Sequence, residues 1–404
     1  MRHLLPWGLF AAMLLGLPWL FPSVLGISIL NEMAIAIVFA LSYNMLLGQG
    51  GMLSFGHAVY FGLGGFMAAH AMLGMEQDGP VFSVTLIPLV AGIGGLLAAM
   101  LIGSFSTRRA GTSFAMISLG IGELLAALSL ILVGFFGGEA GISGDRSLGP
   151  SFFGFDFAQD RQVYALAAVW TFVSTLLMYL FTLTPAGRMA NAVRDNPERA
   201  AFLGYSVQRV RLLSFVVSGF FAGVAGGLFA LHNEILSAQS LSTASSGNVL
   251  LMAYIGGIGF FIGPIVGAVL LTLINSVLSH YTELWLLYLG ITFVLTVMFL
   301  PQGLTGLLMM HAAPWRRGQL HHLLLPYLRT GLPALLCILG LLALLEMLHH
   351  RGGSVVFLGI PLSSGQLWSW LGVLSVTAAA ALDWRRSLPA LRAAWQRVTQ
   401  EEAP

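Results

Sequence analysis

Lysine is missing from this sequence altogether: all 18 basic residues are arginine. A Walker A loop needs its lysine to reach the β- and γ-phosphates, so the chain cannot bind ATP by that device, and any ATP-driven work falls to another polypeptide. Cysteine is reduced to Cys337, which excludes an internal disulfide. Charged residues are 8% of the chain, against roughly 25% in soluble domains. The formal net charge of +2 is too small for a nucleic-acid surface. No HExxH, CxxC, GxSxG or paired-carboxylate constellation occurs, so neither enzyme chemistry nor a metal site has support. The adjacent pairs His321/His322 and His349/His350 diverge on a helix and read as interfacial residues at span ends.

What the sequence does have is apolar length. It is 57% hydrophobic with a mean hydropathy of +0.87, and its apolar runs suffice to cross a hydrocarbon core of about 30 Å. The fold expected is an all-α, polytopic transmembrane bundle. Spans are read at 4–22, 28–48, 58–74, 84–104, 113–134, 163–183, 212–232, 246–262, 264–280 and 284–300, with two further C-terminal runs at 331–348 and 366–383. The glycine-rich runs 58–74 and 246–262 are candidates for re-entrant or broken helices. No small-x-small cleavage signal follows the first run, which reads as a membrane helix rather than a removed leader.

Arginine placement tests this count. With the N-terminus cytoplasmic and every run spanning, Arg2, Arg108, Arg109, Arg188, Arg194, Arg199, Arg209, Arg211, Arg316, Arg317, Arg329, Arg385, Arg386, Arg392 and Arg397 face the cytoplasm. Arg146, Arg161 and Arg351 fall outside. That is the bias of the positive-inside rule, and it places both termini in the cytoplasm. The longest outside segment, residues 135–162, carries Glu139, Asp145, Asp156 and Asp160 and suits a soluble external partner.

One polar interruption stands out, Pro185 to Arg211, where seven of 27 residues are charged. It encloses a short helix with both ends written in: Asn196 as N-cap, Pro197 and Glu198 in the first turn, and Gly204 as the left-handed stop. A helix over 197–203 is too short to persist in water by itself, so it rests on its own membrane helices or docks into a partner.

Within the spans, Glu123 is an expensive intramembrane charge that suits a cavity, a proton-coupling site or a structural hydrogen bond. His57 closes the glycine-rich GQGGMLSFGH run, where glycine suits a broken helix; a structural histidine is the simpler account of it. Gly219, Gly223 and Gly227, and again Gly259, Gly263 and Gly267, recur every four residues and suit close helix packing.

These features together resemble the membrane permeases of ABC importers for branched-chain amino acids, a LivM-like family with relatives for urea and short amides. The resemblance lies in LSYNMLLGQGGMLSFGHAVYFGLGGF (Leu41–Phe66), ISLGIGE (Ile117–Glu123), GGEAGISG (Gly137–Gly144) and LLSFVVSGFFAGVAGGLFA (Leu212–Ala230). It continues through GNVLLMAYIGGIGFFIGPIVGAVLL (Gly247–Leu271) and MFLPQGLTGLL (Met298–Leu308), covering roughly residues 28–310. It implies a permease in the bacterial inner membrane, paired with a second homologous permease as a heterodimer. Two cytoplasmic ATP-binding subunits and a periplasmic substrate-binding protein complete the assembly; ATP is used by the partners, and this chain binds no cofactor.

The loop 185–211, with Gly187, Arg188, Ala192, Arg194, Asp195, Asn196, Ala200, Ala201 and Gly204, resembles the family's ATPase-coupling segment. Gly51, Ser54, Gly56, His57, Glu123, Gly256, Gly257 and Gly259 are the candidates for the translocation pathway or helix breaks. The family's order ends near residue 310. Beyond it, a cytoplasmic linker is expected at 311–330, an additional helix pair at 331–383 and a basic amphipathic tail at 384–404. The function expected is inward transport of branched-chain or related amino acids. The alternatives are a urea/amide or aromatic-acid importer permease, or a stand-alone proton-coupled transporter built on Glu123.

Overall fold

The computed structural model describes residues 5–79, 83–148, 157–350, 353–357 and 360–400. Arg2, Asp156 and Arg351, named above, lie outside them. The chain divides into two units, Met1–Gly306 and Leu307–Pro404.

The first unit is a bundle of α1 (Leu5–Leu20), α2 (Val24–Asn44), α3 (Ala58–Asp78), α4 (Ile87–Ser106), α5 (Thr112–Ile131), the short α6 (Val133–Phe136), α7 (Asp160–Leu183), α8 (Pro185–Asp195), α9 (Pro197–Phe202), α10 (Val207–Asn233), α11 (Thr243–Gly256), α12 (Gly263–Ser276) and α13 (Trp285–Phe299). A further helix, α14 (Gly303–Met310), follows Pro301. Among the described residues of the whole chain, nine helices are long and apolar enough to cross a membrane, or ten if α13 and α14, bent by 52°, form one span. The run at 58–74 is a full-length helix rather than a re-entrant one, whereas α11 has 14 residues.

The bundle is built around α10. Its small-residue stripe does what the spacing requires: Gly219 faces Ala99 and Gly95, and Gly223 lies against Ala91 and Gly95 of α4. Gly227 meets Ala91, and Gly226 lies against the Phe61 carbonyl of α3. A side chain at these positions would fall on neighbouring backbone, so their absence lets α3 and α4 pack on α10 at near van der Waals distance. The second stripe is used only in part. Gly263 and Gly267 abut the Gly257 and Met252 carbonyls and close α11 onto α12, while Gly259 has nothing near it.

The two ends of the bundle differ. At one, β1 (Ile142–Ser143) pairs antiparallel with β2 (Ile235–Leu236), placing the 137–148 loop beside the C-terminus of α10 and the start of α7. At the other lie the end of α2, the polar segment α8–α9 and the α11–α12 turn. Arg194 and Gly48 meet at this second end, whereas Arg146, Asp160 and Glu234 meet at the first. The alternation of spans read from the arginines puts each of these sets on one side.

The second unit holds α15 (Ala312–Arg316), α16 (Leu320–His349) and α17 (Leu367–Gln400), the last two packed together and joined through a ribbon of β3 (Ser354–Phe357) and β4 (Ile360–Ser363). Residues 311–330, expected as a linker, are taken up mostly by α15 and the first turns of α16. The basic tail continues α17 without a break. Gly340 admits Thr377 against the α16 backbone, and His311, Tyr327 and Trp395 join through the Tyr327 hydroxyl, at 2.6 Å from His311 Nε2 and 2.8 Å from Trp395 Nε1.

Candidate functional site

The α2 helix does not simply stop. After Asn44 it widens into a π-helical turn, Met45–Gln49, and then unwinds until α3 begins at Ala58. Gly51 sits at φ +65°, a conformation that side-chain-bearing residues rarely adopt. The unwound backbone is held by side chains of other helices: Tyr43 OH donates to the Ser54 carbonyl (3.0 Å), Ser118 Oγ of α5 accepts from the Phe55 amide (3.0 Å), and Ser246 Oγ of α11 accepts from the Ala58 amide (3.0 Å). Gly56 lies against the Ser118 carbonyl, and Gly122 stands close to the Gly56 Cα, so α5 can reach the segment only because both positions lack a side chain. Irregular backbone at membrane depth is tolerated where protein encloses it and supplies such partners.

His57 belongs to the core. It is buried, its Nε2 lies 3.0 Å from Ser42 Oγ, and its ring stacks on Phe39 with the Tyr43 ring edge-on. Ser54 is buried beside it, while Gly51 is exposed.

Glu123 follows Gly122 by one residue and so adjoins the same break, but it faces outward. Its Oε1 accepts a hydrogen bond from the hydroxyl of Thr243, the first residue of α11. Around it on α5 the large side chains Met116, Leu119 and Leu124 are exposed. A carboxylate turned to hydrocarbon is costly, so this face needs a protein or aqueous neighbour. A second carboxylate at span depth, Glu32 of α2, accepts from the Ser276 hydroxyl of α12 and carries no mark in the sequence beyond its place in the 28–48 run. Gly256 ends α11 and Gly257, at φ +111°, starts the turn into α12, pressed against Gln302 and Gly303.

The polar segment folds into two helices rather than one. Thr184 caps α8 by accepting the Gly187 amide (3.2 Å), and α8 buries Gly187, Ala190 and Val193 while Arg188 and Ala192 point outward. The shorter α9 has the ends read from the sequence: Asn196 Oδ1 accepts the Arg199 amide (2.9 Å), and Gly204 turns the chain at φ +87°. Of α9 itself only Ala200 is buried, and Ala201 is exposed. Phe202 is 92% exposed, Leu203 71% and Tyr205 48%, an apolar knob in a charged surround. Arg194, in the last turn of α8, turns back into the bundle: Nη1 donates to the Gly48 carbonyl, and Nε pairs with Asp195 at 2.9 Å.

At the opposite end the buried Arg146 gathers the loop. It donates to the Leu231 and His232 carbonyls (3.0 Å each), pairs with Asp160 at 2.6 Å and stands 3.6 Å from Glu234. Glu234 has a left-handed φ of 56° as the C-cap of α10. Gly137, Gly138 and Gly141, all at positive φ, fold the loop tightly enough to reach β2. Hydrogen bonds from the Ser147 hydroxyl and amide, with the adjacent Arg146 charge, hold the exposed Asp145 carboxyl below its ordinary pKa. The sequence marks Arg146 as an outside arginine but says nothing of its partners.

The chain is 29% identical over 320 residues to the high-affinity branched-chain amino acid transport system permease protein LivM of Escherichia coli, covering 73% of this chain and 74% of that one. It is 26% identical over 245 residues to a probable branched-chain amino acid transport permease protein LivH of Methanocaldococcus jannaschii, covering 56% and 75%. A shorter match, 33% over 116 residues, joins it to the autoinducer 2 import system permease protein LsrC of Klebsiella pneumoniae, over 27% of this chain and 34% of that one. No solved structure matches the chain. The family model for the permease component of branched-chain amino acid transport systems matches residues 26–299, the helices that hold the break, Glu123, the polar segment and the Arg146 loop. The chain belongs to that permease family.

Proposed function

We propose that this chain is the permease subunit of an ATP-driven importer for branched-chain or related amino acids. It moves substrate inward by alternating access, and partner ATPases drive the change through residues 185–211. The observation that carries this reading is α9. A six-residue helix with one buried residue and an exposed Phe202–Leu203 knob gains little from its own chain, and such an apolar patch suits a protein interface. The absence of lysine agrees with ATP being bound elsewhere.

In this reading the arginine-rich end with α8 and α9 faces the cytoplasm of a bacterial inner-membrane assembly, as do both termini. The compact 137–148 loop receives a periplasmic binding protein at the other face. A second, homologous permease covers the α5 face, which explains a carboxylate at Glu123 pointing out of the isolated chain. The pathway then runs along that face past the unwound segment.

The test is purification from the native membrane in mild detergent, followed by reconstitution. Two ATP-binding proteins and a second permease co-purifying, with uptake that requires ATP inside the assay, is the outcome expected. A chain that purifies alone and transports without ATP, but stops with a protonophore, overturns the reading in favour of a Glu123-based secondary transporter.

A further inference from the structure

Arg194 lies in the polar segment that docks the ATPases in the reading above, yet its side chain, though 38% exposed, turns back onto its own bundle. Nη1 donates to the carbonyl of Gly48, in the π-helical turn that ends α2. The stem lies over Gly51: a Cβ built there would stand 3.3 Å from Arg194 Cβ and closer still to Cγ. Gly51 also has φ +65°, so two independent constraints make it glycine. Gly48 is hemmed in on its other side by the Asn44 side chain and the Ile258 carbonyl.

Beyond Gly51 the unwound chain leads to Phe55, bonded to Ser118 of α5, and to Ala58, bonded to Ser246 of α11. Glu123 and Thr243 sit on those same two helices, five residues from Ser118 and three from Ser246, and so within about a turn and a half. Around the break, Asn44 Oδ1, Ser54 Oγ and His57 Nδ1 are buried without a hydrogen-bond partner. Buried polar atoms left unpaired disfavour a packing relative to one that satisfies them, and transporters change state through packed elements with two discrete arrangements.

We propose that Arg194 is a positioning residue that ties α8 to the helix break, so that displacement of the α8–α9 segment is delivered to residues 48–57 and through them to the α5–α11 face. The proposal rests on the ABC-permease reading. The exposed pair with Asp195 adds little by itself; the guanidinium on the Gly48 carbonyl and the stem over Gly51 make the connection.

The experiment uses the whole complex in proteoliposomes with its binding protein and leucine, comparing wild type with Arg194→Ala, Arg194→Lys and Gly51→Ala. Three quantities are read: ATPase subunit recovered with the permease, ATP hydrolysed, and leucine taken up. Arg194→Ala is expected to keep the recovered ATPase and the hydrolysis within about twofold of wild type while uptake per ATP falls at least tenfold. Gly51→Ala, which displaces the stem from the other side, is expected to do the same, and Arg194→Lys to recover part of the uptake. Deuterium exchange of the 48–52 amides is expected to rise in Arg194→Ala, a readout that needs no transport.

Unchanged uptake overturns the proposal. So does loss of the ATPases or of membrane assembly in Arg194→Ala, which would make Arg194 a docking or folding residue. Unchanged exchange at 48–52 also counts against it. A wild-type chain that recovers no ATPase refutes the permease reading instead, and the exchange measurement still decides whether Arg194 holds the break.

Discussion

At the scale of single residues, two charges do opposite work. Arg146 is buried among main-chain carbonyls and two acids, so removing it uncovers polar groups that have no substitute. Truncating one member of a buried ion pair costs about 3–5 kcal/mol; the lower end applies here because Asp160 and Glu234 remain partly exposed. Arg146→Ala is therefore expected to lower the melting temperature in detergent by several degrees and to raise proteolysis near residues 137–148. Glu123, by contrast, is exposed and bonded to one hydroxyl, so it adds little to the stability of this chain. Glu123→Gln keeps the shape and one acceptor but removes the charge. It is expected to leave expression and melting unchanged and to reduce uptake at least tenfold; equal uptake would remove Glu123 from the pathway. Glu123 is legible in the sequence as a charge in an apolar run, whereas Thr243, its partner 120 positions away, is visible only in the folded chain.

At the scale of elements, α9 is the part whose sequence reads most directly into structure. Asn196, Pro197, Glu198 and Gly204 act within one or two turns, and such local hydrogen bonding and backbone preference need no tertiary context. Losing the Asn196 cap costs about 1 kcal/mol, enough to fray so short a helix. Asn196→Ala is thus expected to weaken ATPase binding without altering insertion. Phe202→Asp, which places a charge on the exposed knob, is expected to abolish co-purification of the ATPases altogether, as a pull-down from detergent extracts would show. The preceding α8 is less plain from sequence, because its helix is held by burying Gly187, Ala190 and Val193 against neighbours distant in the chain. Likewise 58–74 looks breakable by its glycines, yet α3 is whole: Gly64 and Gly65 are filled by the backbones of α4 and α10 and by Leu236. The break lies just before it, at 50–57.

For the whole molecule, the family match ends at residue 299 and the compact first unit at Gly306, so both divisions fall before the C-terminal helices. A chain ended after residue 310 is expected to insert, to recover the ATPases and to retain uptake within about twofold. A loss of uptake greater than tenfold would assign α16 and α17 a part in transport. The sequence alone determined the membrane-spanning class and the position of the polar segment along the chain, because apolar length acts on each stretch separately. Only the tertiary structure decided which glycines pack and which bend. It also showed that His57 is core while Glu123 faces out, and that Arg194 reaches Gly48 across 146 positions. Those outcomes depend on which backbones come within contact distance, and no local pattern encodes that.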